Sequence, residues 1–472
     1  MNRAWTTKRP TKTDDDASTS ATVIKVHPPS SIEKIPWRLP PSKSHAIRWL
    51  ALAAQSNQDV VIHNLSQAGQ DILSMRRCLN QLGVRITDLD QHGEPLADKG
   101  KHPGQPPEGT ESWCVEGVGV HGLQLPSGVL DAGNSGTSLR ILMALCARFD
   151  AAITIDGDAS LRSRNHDVMV GALQQLGVRV SRSGAQNLPL CLEGPWTPPA
   201  SISLDISSSS QPTTALCLAA CALPVPLTVE DHGTGVSLRH SELTKRICEQ
   251  TGANPSIHNG ELTSWNPNIE NSSTVIPPDA SMLSFALLAA KVSSASVDIQ
   301  HVPGIEDALG HEVLFELAQY VGLQITGSII NAVSKGQSTT VDLRHGNDLI
   351  TPVAALLALA GGGEITGAEH AAYKETDRTI GTVDLLKQFG LDASYDQGRL
   401  LVPGGQELVS PKGLVRTFGD HRMQMTALVL AMGCKEEVII EGAHLHRVAD
   451  PEALERWRLV GAEIESFLQQ PR

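Results

Sequence analysis

Short polar segments rich in Lys, Arg, Ser and Gly are the parts of this sequence best suited to chemistry. Residues 41–48 include Lys43, and residues 131–140 include Asn134 and Gly136. Each segment comes directly before an apolar stretch with helical spacing, so it is predicted to lie at a helix N-terminus. Free N–H groups and the positive end of the helix dipole favour phosphate and carboxylate there. The sequence therefore predicts a site for anionic small molecules.

Two later segments combine cations with carboxylates. Residues 374–378 read Lys-Glu-Thr-Asp-Arg, and residues 420–423 read Asp-His-Arg-Met. Asp377 and Asp420 are expected to pair with a nearby Arg or with backbone, and His421 is expected to be a structural hydrogen-bonding group.

The elements that position these segments form a repeat. A helix that ends at Gly before an extended apolar run recurs roughly every 70 residues, apart from a longer first interval. The six glycines are Gly83, Gly177, Gly252, Gly322, Gly390 and Gly461. A second series of helices, apolar on nearly all sides, is predicted to be buried. It comprises Ala46–Ala54, Leu139–Ala147, Thr214–Leu223, Leu283–Lys291, Pro352–Ala360 and Met423–Met432. Each is expected to follow a polar loop, with residues 374–378 as the fifth.

Composition excludes several classes of function. The net charge of −13 over 472 residues argues against general binding to nucleic acid or to an anionic membrane surface. No stretch reaches the length of a membrane-spanning helix. The eight cysteines include no C-x-x-C pair, so buried reduced thiols and a cytoplasmic location are expected rather than a metal site at Cys217 and Cys221.

Taken in order, the motifs resemble those of the EPSP synthase family. They are P-S-K-S-x-x-x-R from Pro41, G-N-S-G-T-x-x-R from Gly133, G-D-x-S-L-R-x-R from Gly157, S-S-Q from Ser209, K-E-T-D-R from Lys374 and D-H-R-M from Asp420. The resemblance runs from about Lys34 to Gly461. It implies an α/β (α+β) fold of two domains, each of three βαβαββ repeats, with the active site in the interdomain cleft.

The resemblance also implies that the chain crosses between the domains twice. We expect a disordered N-terminal leader over residues 1–31. One domain comprises residues 32–41 plus 278–472, with repeats four to six and both termini. The other comprises residues 42–277, with repeats one to three and a loop insertion at residues 91–112.

Site residues follow from the resemblance, position by position. Those implied for shikimate 3-phosphate are Lys43, Ser44, Arg48, Ser209, Ser210, Gln211, Ser237 and Lys374. Those implied for phosphoenolpyruvate are Lys43, Asn134, Gly136, Arg164, Gln211, Arg378, Arg422 and, as the cation nearest to a late family Lys, Arg447. Arg suits phosphate and carboxylate as a bidentate fork, and Lys as a point charge.

The reaction implied adds the 5-hydroxyl of shikimate 3-phosphate to C2 of phosphoenolpyruvate and then eliminates phosphate. It uses no metal and no organic cofactor. Glu375 would exchange a proton with the methylene carbon. Lys43 would serve the hydroxyl or the leaving phosphate, and crowding by cations is expected to lower its pKa.

This chain departs from the family at the position of the catalytic Asp in the fourth repeat. Counting back from Gly322, its position is His311, with Glu312 beside it, so His311, Glu312 and Asp307 all remain candidates for the base. A second departure is Asn165, which stands where the family usually has Pro.

Three alternative functions compete with this one. A UDP-N-acetylglucosamine enolpyruvyl transferase would need a Cys on a mobile loop, which is missing from these motifs. The others are an enolpyruvyl transferase for another cyclic alcohol and a non-catalytic relative that binds a phosphorylated ligand. The expected partners are the two small-molecule substrates only, and the chain is expected to be monomeric.

Overall fold

The computed structural model describes residues 22–97, 106–233, 235 and 237–468. The strands within these ranges are β1 Thr22–His27, β2 Lys34–Trp37, β3 Asp59–His63, β4 Ile86–Leu89, β5 Ser112–Glu116, β6 Leu130–Asp131, β7 Ala152–Asp156, β8 Arg179–Arg182, β9 Leu190–Glu193, β10 Ser201–Asp205, β11 Leu227–His232, β12 Glu261–Leu262, β13 Ser273–Val275, β14 Ser296–Ile299, β15 Leu323–Thr326, β16 Ile329–Ala332, β17 Thr339–Asp342, β18 Gly363–Thr366, β19 Ser394–Asp396, β20 Arg399–Val402, β21 Leu414–Val415, β22 Val438–Glu441 and β23 Glu463–Leu468.

The α-helices of the same ranges alternate with these strands. They are α1 Lys43–Gln55, α2 Gln70–Gln81, α3 Gly136–Cys146, α4 Ala159–Ser163, α5 Asp167–Gln175, α6 Gln211–Ala219, α7 Leu238–Gln250, α8 Leu283–Ser293, α9 Val313–Tyr320, α10 Ile350–Leu359, α11 Arg378–Gln388, α12 His421–Ala431 and α13 Ala453–Leu459.

The strands of the described residues form six small sheets of one design. Five have four strands, in the orders β13-β3-β5-β4, β6-β7-β9-β8, β2-β14-β16-β15, β17-β18-β20-β19 and β21-β22-β1-β23. In each of these, one parallel pair is followed by two antiparallel pairs. The sixth, β10-β11-β12, has one parallel and one antiparallel pair. The mixed α/β class expected from the sequence is confirmed.

Two separate hydrophobic cores divide the molecule into halves. The first half is built around buried residues between Ala46 and Ile276. The second half is built around residues 24–39 together with residues 282–464. Chains of this length normally divide into more than one core, because a single core stops growing at roughly 250 to 300 residues.

Both series of predicted helices are present. The six glycines that were expected to end helices all have positive φ, between +73° at Gly390 and +105° at Gly252. Only Gly adopts this left-handed conformation without a steric penalty, so it ends each helix and starts the following strand. The apolar helices α1, α3, α6, α8, α10 and α12 are buried along nearly their whole length, as their composition predicted.

The disordered leader expected over residues 1–31 is wrong for residues 22–27. Residues 1–21 lie outside the described residues, but Thr22–His27 is a strand rather than part of a disordered segment. β1 lies between β22 and β23, and its apolar side chains Val23, Ile24 and Val26 are buried. The polar residues on both sides of this short strand hid it in the sequence. In the predicted insertion at residues 91–112, Ser112 already belongs to β5, and residues 98–105 lie outside the described ranges.

Two neighbouring chain segments connect the halves. Ser42 donates its backbone N–H to the carbonyl of Pro277, and Asp279 donates to the carbonyl of Pro40, both at 2.8 Å. No helix among the described residues has both the length and the apolar character needed to cross a bilayer. All eight cysteines lie in described residues as free thiols, and burial raises the pKa of Cys217 and Cys221 to about 12.

Candidate active site between the two halves

The site is marked by a carboxylate that belongs to one half and is neutralised by both. Glu375 precedes α11 in the second half, and its Oε2 accepts a hydrogen bond from Arg378 Nη2 at 2.7 Å. Its Oε1 lies 3.4 Å from Nη2 of Arg164 in the first half. Burial opposes ionisation of Glu375, but the guanidinium groups of Arg378 and Arg164 outweigh it and hold its pKa well below the usual value.

Arg378 is held in place by a buried carboxylate. Asp420, at the N-terminus of α12, accepts from Arg378 Nε at 2.7 Å and from its Nη2 at 3.2 Å. Asp420 also accepts from the backbone N–H of Arg422, so it caps the helix. Asp377 caps α11 in the same way. Both carboxylates therefore support neighbouring groups, as expected from the sequence.

Arg422 supplies unused donors to the site. Its Nη2 donates to Ser281 Oγ at 2.8 Å and to Asp348 Oδ2 at 2.7 Å. Its Nε and Nη1 are buried and have no hydrogen-bond partner among the described residues. Buried unpaired donors are costly, so their presence marks a place for an anion.

The first half contributes a second guanidinium group with an unused donor. Arg164 Nη2 donates to Asn134 Oδ1 at 2.9 Å and to Ser160 Oγ at 3.1 Å, while its buried Nε has no partner among the described residues. A Cβ at Gly136 would lie 3.6 Å from Arg164 Nη1 and 2.9 Å from Arg140 Nη1. The N-terminus of α3 at Gly136 therefore packs closely against the guanidinium groups of Arg140 and Arg164.

Gln211 joins the start of α6 to the start of α3. Its Oε1 accepts from Arg140 Nη1 at 2.8 Å, and its Nε2 donates to Thr137 Oγ1 at 3.2 Å. Arg140 also donates to the carbonyls of Gly136 and Asn165. Arg140 thus anchors its own helix and orients the predicted ligand Gln211.

The pKa values of Lys43 and Lys374 shift in opposite directions, and the shift of Lys43 is opposite to the one expected. Burial lowers the pKa of Lys43, but the carboxylate of Asp71, 3.0 Å from Nζ, more than offsets this, so the pKa is raised. The expected lowering by nearby cations is wrong, because Asp71 on α2 was not recognised in the sequence. Instead, burial and the charge of Arg378 lower the pKa of Lys374 to about 8.

Three serines lie at the starts of two helices, Ser209 and Ser210 before α6 and Ser237 before α7, and we call them the serine segment. Ser209 Oγ accepts from the backbone N–H of Gln211 at 3.2 Å, and Ser210 Oγ donates to the carbonyl of Ser237 at 3.0 Å. Ser237 precedes α7 with a left-handed backbone, φ +54°. The ring of His240, in the first turn of α7, lies 6.5 Å from the ring of His311 in the second half. The start of α7 therefore lies next to the second half.

Arg48 has protein partners on each of its nitrogens. Only 1% of the residue is exposed. Its Nε donates to Thr244 at 2.7 Å, its Nη1 to the carbonyl of Ser44 at 2.7 Å, and its Nη2 to Thr214 and to the carbonyl of His240. Burial without a carboxylate partner lowers its pKa to about 10. In this structure Arg48 ties α1 to α6 and α7.

Asp348 is the site residue that the sequence reasoning missed. It lies in a turn directly before α10, and its two oxygens accept from Arg422 Nη2 at 2.7 Å and His311 Nε2 at 2.9 Å. The signal was available: Pro352–Ala360 is the fifth apolar helix, and residues 345–349 precede it. The fifth polar loop was wrongly assigned to residues 374–378, which instead precede the amphipathic α11.

The remaining candidates lie at different depths. His311 is buried against Asp348. Glu312 is partly exposed, and its Oε1 lies 3.6 Å from Arg239 Nη2. Asp307 pairs with His45 and Arg246. Arg447 is exposed on a 3-10 turn, residues 445–448, and makes no side-chain hydrogen bond within the described residues. Lys43, Arg164, Glu375, Arg378 and Arg422 therefore come together, and Arg447 and Glu312 lie outside that group.

Comparison with known proteins matches this arrangement to one family. The family model for EPSP synthase (3-phosphoshikimate 1-carboxyvinyltransferase) matches residues 26–457. A protein of Afipia carboxidovorans named 3-phosphoshikimate 1-carboxyvinyltransferase is 28% identical, over 90% of this chain and 95% of its own length. A Korarchaeum cryptofilum protein of the same name is 27% identical, over 90% and 96%.

Solved structures share the fold. An EPSP synthase from Acinetobacter baumannii superposes with a TM-score of 0.70 at 21% identity, covering 94% of this chain and all of that one. The enolpyruvyl transferase NikO from Streptomyces tendae gives 0.68 at 15% identity, covering 95% and 99%. At these identities the likeness concerns the fold alone. The match of the family model over nearly the whole chain shows that this protein belongs to the EPSP synthase family.

Proposed function

We propose that this protein transfers the enolpyruvyl group of phosphoenolpyruvate to the 5-hydroxyl of shikimate 3-phosphate and releases phosphate. The observation that carries the proposal is the buried Glu375, held between Arg378 of its own half and Arg164 of the other half. A general acid or base that is surrounded by cations from both halves suits a reaction between two anionic substrates.

Phosphoenolpyruvate would bind to the unused guanidinium donors. Arg422 contributes Nε and Nη1, and Arg164 contributes Nε, and all three atoms are buried. Arg378 and Lys43 add positive charge on either side of Glu375. A phosphate and a carboxylate together can satisfy these donors, which no described protein acceptor does.

Shikimate 3-phosphate would lie between the serine segment and the second half. Ser209, Ser210 and Ser237 sit at the N-termini of α6 and α7, where hydroxyl and backbone donors favour a phosphate. Lys374 of the second half would add a positive charge to this phosphate site, and a bound phosphate would raise its pKa of about 8 again. Arg48 would act by holding α1, α6 and α7 together, because its own donors are engaged.

Asp348 is the group we assign to the acceptor hydroxyl. Its carboxylate is fixed by Arg422 and His311, and burial is outweighed by these cations, so its pKa lies well below the usual value. It is therefore ionised and able to accept a proton. This is the role for which the sequence made His311 and Glu312 candidates. His311 contacts the carboxylate, and Glu312 is engaged near the rim.

The proton transfers balance as follows. Phosphoenolpyruvate bound beside Arg164 and Arg378 would offset their charge and raise the pKa of Glu375, which then takes up a proton from solvent. The acceptor oxygen bonds to C2 of phosphoenolpyruvate as its proton passes to Asp348, and Glu375 delivers its proton to the methylene carbon. Glu375 then removes a proton from the resulting methyl group as the C–O bond to phosphate breaks. Asp348 returns the proton of the acceptor hydroxyl to the leaving phosphate, directly or by way of Lys43, so both carboxyl groups and the lysine regain their starting state.

The halves would correspond to two domains that close on the substrates, residues 42–277 and residues 22–41 plus 278–468, with both ends of the chain in the second. We also propose that the protein acts as a monomer in a reducing compartment such as the cytoplasm, in keeping with its eight free thiols.

Phosphate release tests the proposal. Purified protein mixed with phosphoenolpyruvate and shikimate 3-phosphate should release phosphate in proportion to the acceptor consumed. Shikimate, which lacks the phosphate that the serine segment is proposed to bind, is the matched control and should be a much poorer acceptor. If no phosphate is released at any of the pH values tested between about 6 and 9, the proposal is refuted.

A further inference from the structure

A short loop of the second half reaches across to the first half. Residues 307–312, which we name the clasp, lie between β14 and α9, and both of these elements pack in the second core. Yet three of the clasp side chains contact or approach the first half. This inference rests on the proposed function, because it concerns the residue to which we assign the acceptor proton.

The first contact of the clasp is a charged one. Asp307 Oδ1 accepts from His45 Nε2 at 3.2 Å and lies 3.3 Å from Arg246 Nη2. His45 follows Lys43 and Ser44 in the first turn of α1, and Arg246 lies on α7. The pair therefore links the clasp to two helices whose starts carry the candidate ligands.

The second contact is apolar. Leu309 is 8% exposed and belongs to the core of the first half, although α9, which follows the clasp, packs in the second. Its φ is +56°, a left-handed conformation that is strained for a residue with a Cβ. Burial of the Leu309 side chain in the first core offsets this strain, so the conformation is maintained by docking.

A further contact, within the second half, connects the clasp to the loop that carries Asp348. A Cβ at Gly310 would lie 2.5 Å from the carbonyl oxygen of His345, so only Gly permits this approach. A Cβ at Gly346 would lie 3.3 Å from His311 Cδ2. The two loops are thus in direct contact, and His311 Nε2 donates to Asp348 Oδ1 at 2.9 Å.

We propose that His311 is a positioning residue for Asp348, and that docking of Leu309 and Asp307 onto the first half sets His311 in place. Closing of the halves would then be coupled to the orientation of the proton acceptor. Arg422 fixes one carboxylate oxygen of Asp348, and the clasp fixes the other through His311. With both oxygens fixed, the carboxylate plane cannot rotate away from the acceptor hydroxyl.

Variants of the docking residues test the first part of the coupling. Leu309→Ala should raise KM for shikimate 3-phosphate by about tenfold, because less apolar surface is buried on closing. Asp307→Asn should raise it by about threefold, as expected for a half-exposed ion pair. Ile305→Ala is the matched control for Leu309, since Ile305 lies just before the clasp with 71% of its surface exposed. Glu306→Gln is the control for Asp307, and both controls should keep wild-type KM.

Thermal unfolding separates docking from folding. The melting temperature of each variant is measured with and without shikimate 3-phosphate plus phosphate, which occupies the site without turnover. Leu309→Ala should lose most of the stabilisation by these ligands, whereas Ile305→Ala should retain it. Equal stabilisation of the two variants, together with equal KM, would overturn the docking role.

Variants of His311 test positioning. His311→Gln retains an N–H that can donate to Asp348, whereas His311→Leu does not. His311→Leu should lower kcat by roughly ten- to hundredfold with little change in KM for phosphoenolpyruvate, and His311→Gln should recover most of the loss. Equal kcat for the two variants would overturn positioning by hydrogen bonding.

The pH profile distinguishes positioning from general damage. The charged and titratable groups around His311 are Asp348, Asp279, Arg422 and His240, and those acting on Asp348 include Arg422 and Arg378. His311 lowers the pKa of Asp348, so its replacement in His311→Leu should raise that pKa and move the acid limb of kcat to higher pH. Lower activity with an unshifted profile would contradict the proposal. Wild-type protein that releases no phosphate would instead refute the proposed function itself.

Discussion

Arg164 and Glu375 belong to different halves of the molecule, and their side chains approach to 3.4 Å between Nη2 and Oε1. Glu375 is also paired with Arg378 at 2.7 Å. The proposed acid–base group thus takes its electrostatic environment from both halves. Separation of the halves removes one of its two guanidinium partners, which ties the chemistry to the closed arrangement.

Replacing Glu375 by Gln should abolish most of the turnover. The amide keeps the size and the contact to Arg378 but cannot exchange a proton with the methylene carbon, so kcat should fall about 10²- to 10⁴-fold. Binding of shikimate 3-phosphate, followed by calorimetry, should be nearly unchanged. Asp384→Asn, at an exposed position of α11, is the matched control. Turnover of Glu375→Gln near the wild-type rate would exclude the assigned role.

Asp348→Asn should likewise lower kcat about 10²- to 10⁴-fold, because the hydroxyl proton loses its acceptor. The substitution also leaves Arg422 without its anionic partner. We therefore expect a lower melting temperature in the absence of substrates, unlike for Glu375→Gln, whose neighbour Arg378 keeps Asp420. Steady-state kinetics and calorimetric unfolding give the two readouts. Full activity in Asp348→Asn would return the base to His311 or to another group.

Binding of shikimate 3-phosphate should weaken above a pH of about 8. The pKa of Lys374 is lowered to about 8 by burial and by Arg378, so its positive charge is lost above that pH in the free protein. Lys374→Arg should bind with little dependence on pH between about 7 and 9, because Arg stays protonated. Titration calorimetry at several pH values measures this, and a flat profile for the wild type would contradict the assignment.

Stability should show the opposite trend over the same window. The folded-state pKa of Lys374 lies below the ordinary lysine value of 10.5, so the unfolded chain binds more protons between about pH 8 and 10.5. The contribution of Lys374 to the free energy of unfolding should therefore increase as pH rises through that range. Comparison of wild type with Lys374→Met in urea unfolding isolates it. A contribution that falls with pH would show that the lysine is not buried as described.

Arg48→Met should destabilise the first half more than it alters the chemistry. Arg48 makes four hydrogen bonds that join α1, α6 and α7, and its loss leaves buried acceptors unpaired. We expect the free energy of unfolding to fall by about 3 kcal/mol. Arg85→Met, which removes a guanidinium of which three quarters is exposed, should change it by less than about 0.5 kcal/mol. Equal stability of the two variants would mean that Arg48 is free to bind ligand.

The repeat could be predicted because its signals are local. Gly83 and Gly390, both with positive φ, end α2 and α11 through hydrogen bonds to the preceding turn. An apolar helix such as α10 must be buried wherever it packs. The same holds for Asp377 and Asp420, which cap the helices that follow them.

What the sequence did not reveal depends on contacts between distant residues. Asp71 raises the pKa of Lys43 from another helix, and Asp348 meets His311 only after the two loops pack together. Strand β1 is stabilised by partners near the other end of the chain, at residues 438–441 and 463–468. None of these relationships has a fixed spacing in sequence, so no local pattern predicts them.

The proton transfer at the methylene carbon can be followed directly in deuterated water. Product formed from phosphoenolpyruvate and shikimate 3-phosphate in D₂O is examined by NMR or mass spectrometry. If Glu375 delivers a solvent-derived proton and then removes one from a methyl group, deuterium should appear in the methylene of the product. Glu375→Gln should slow incorporation and phosphate release together. A product formed at the wild-type rate with no deuterium in its methylene would contradict addition followed by elimination at this site.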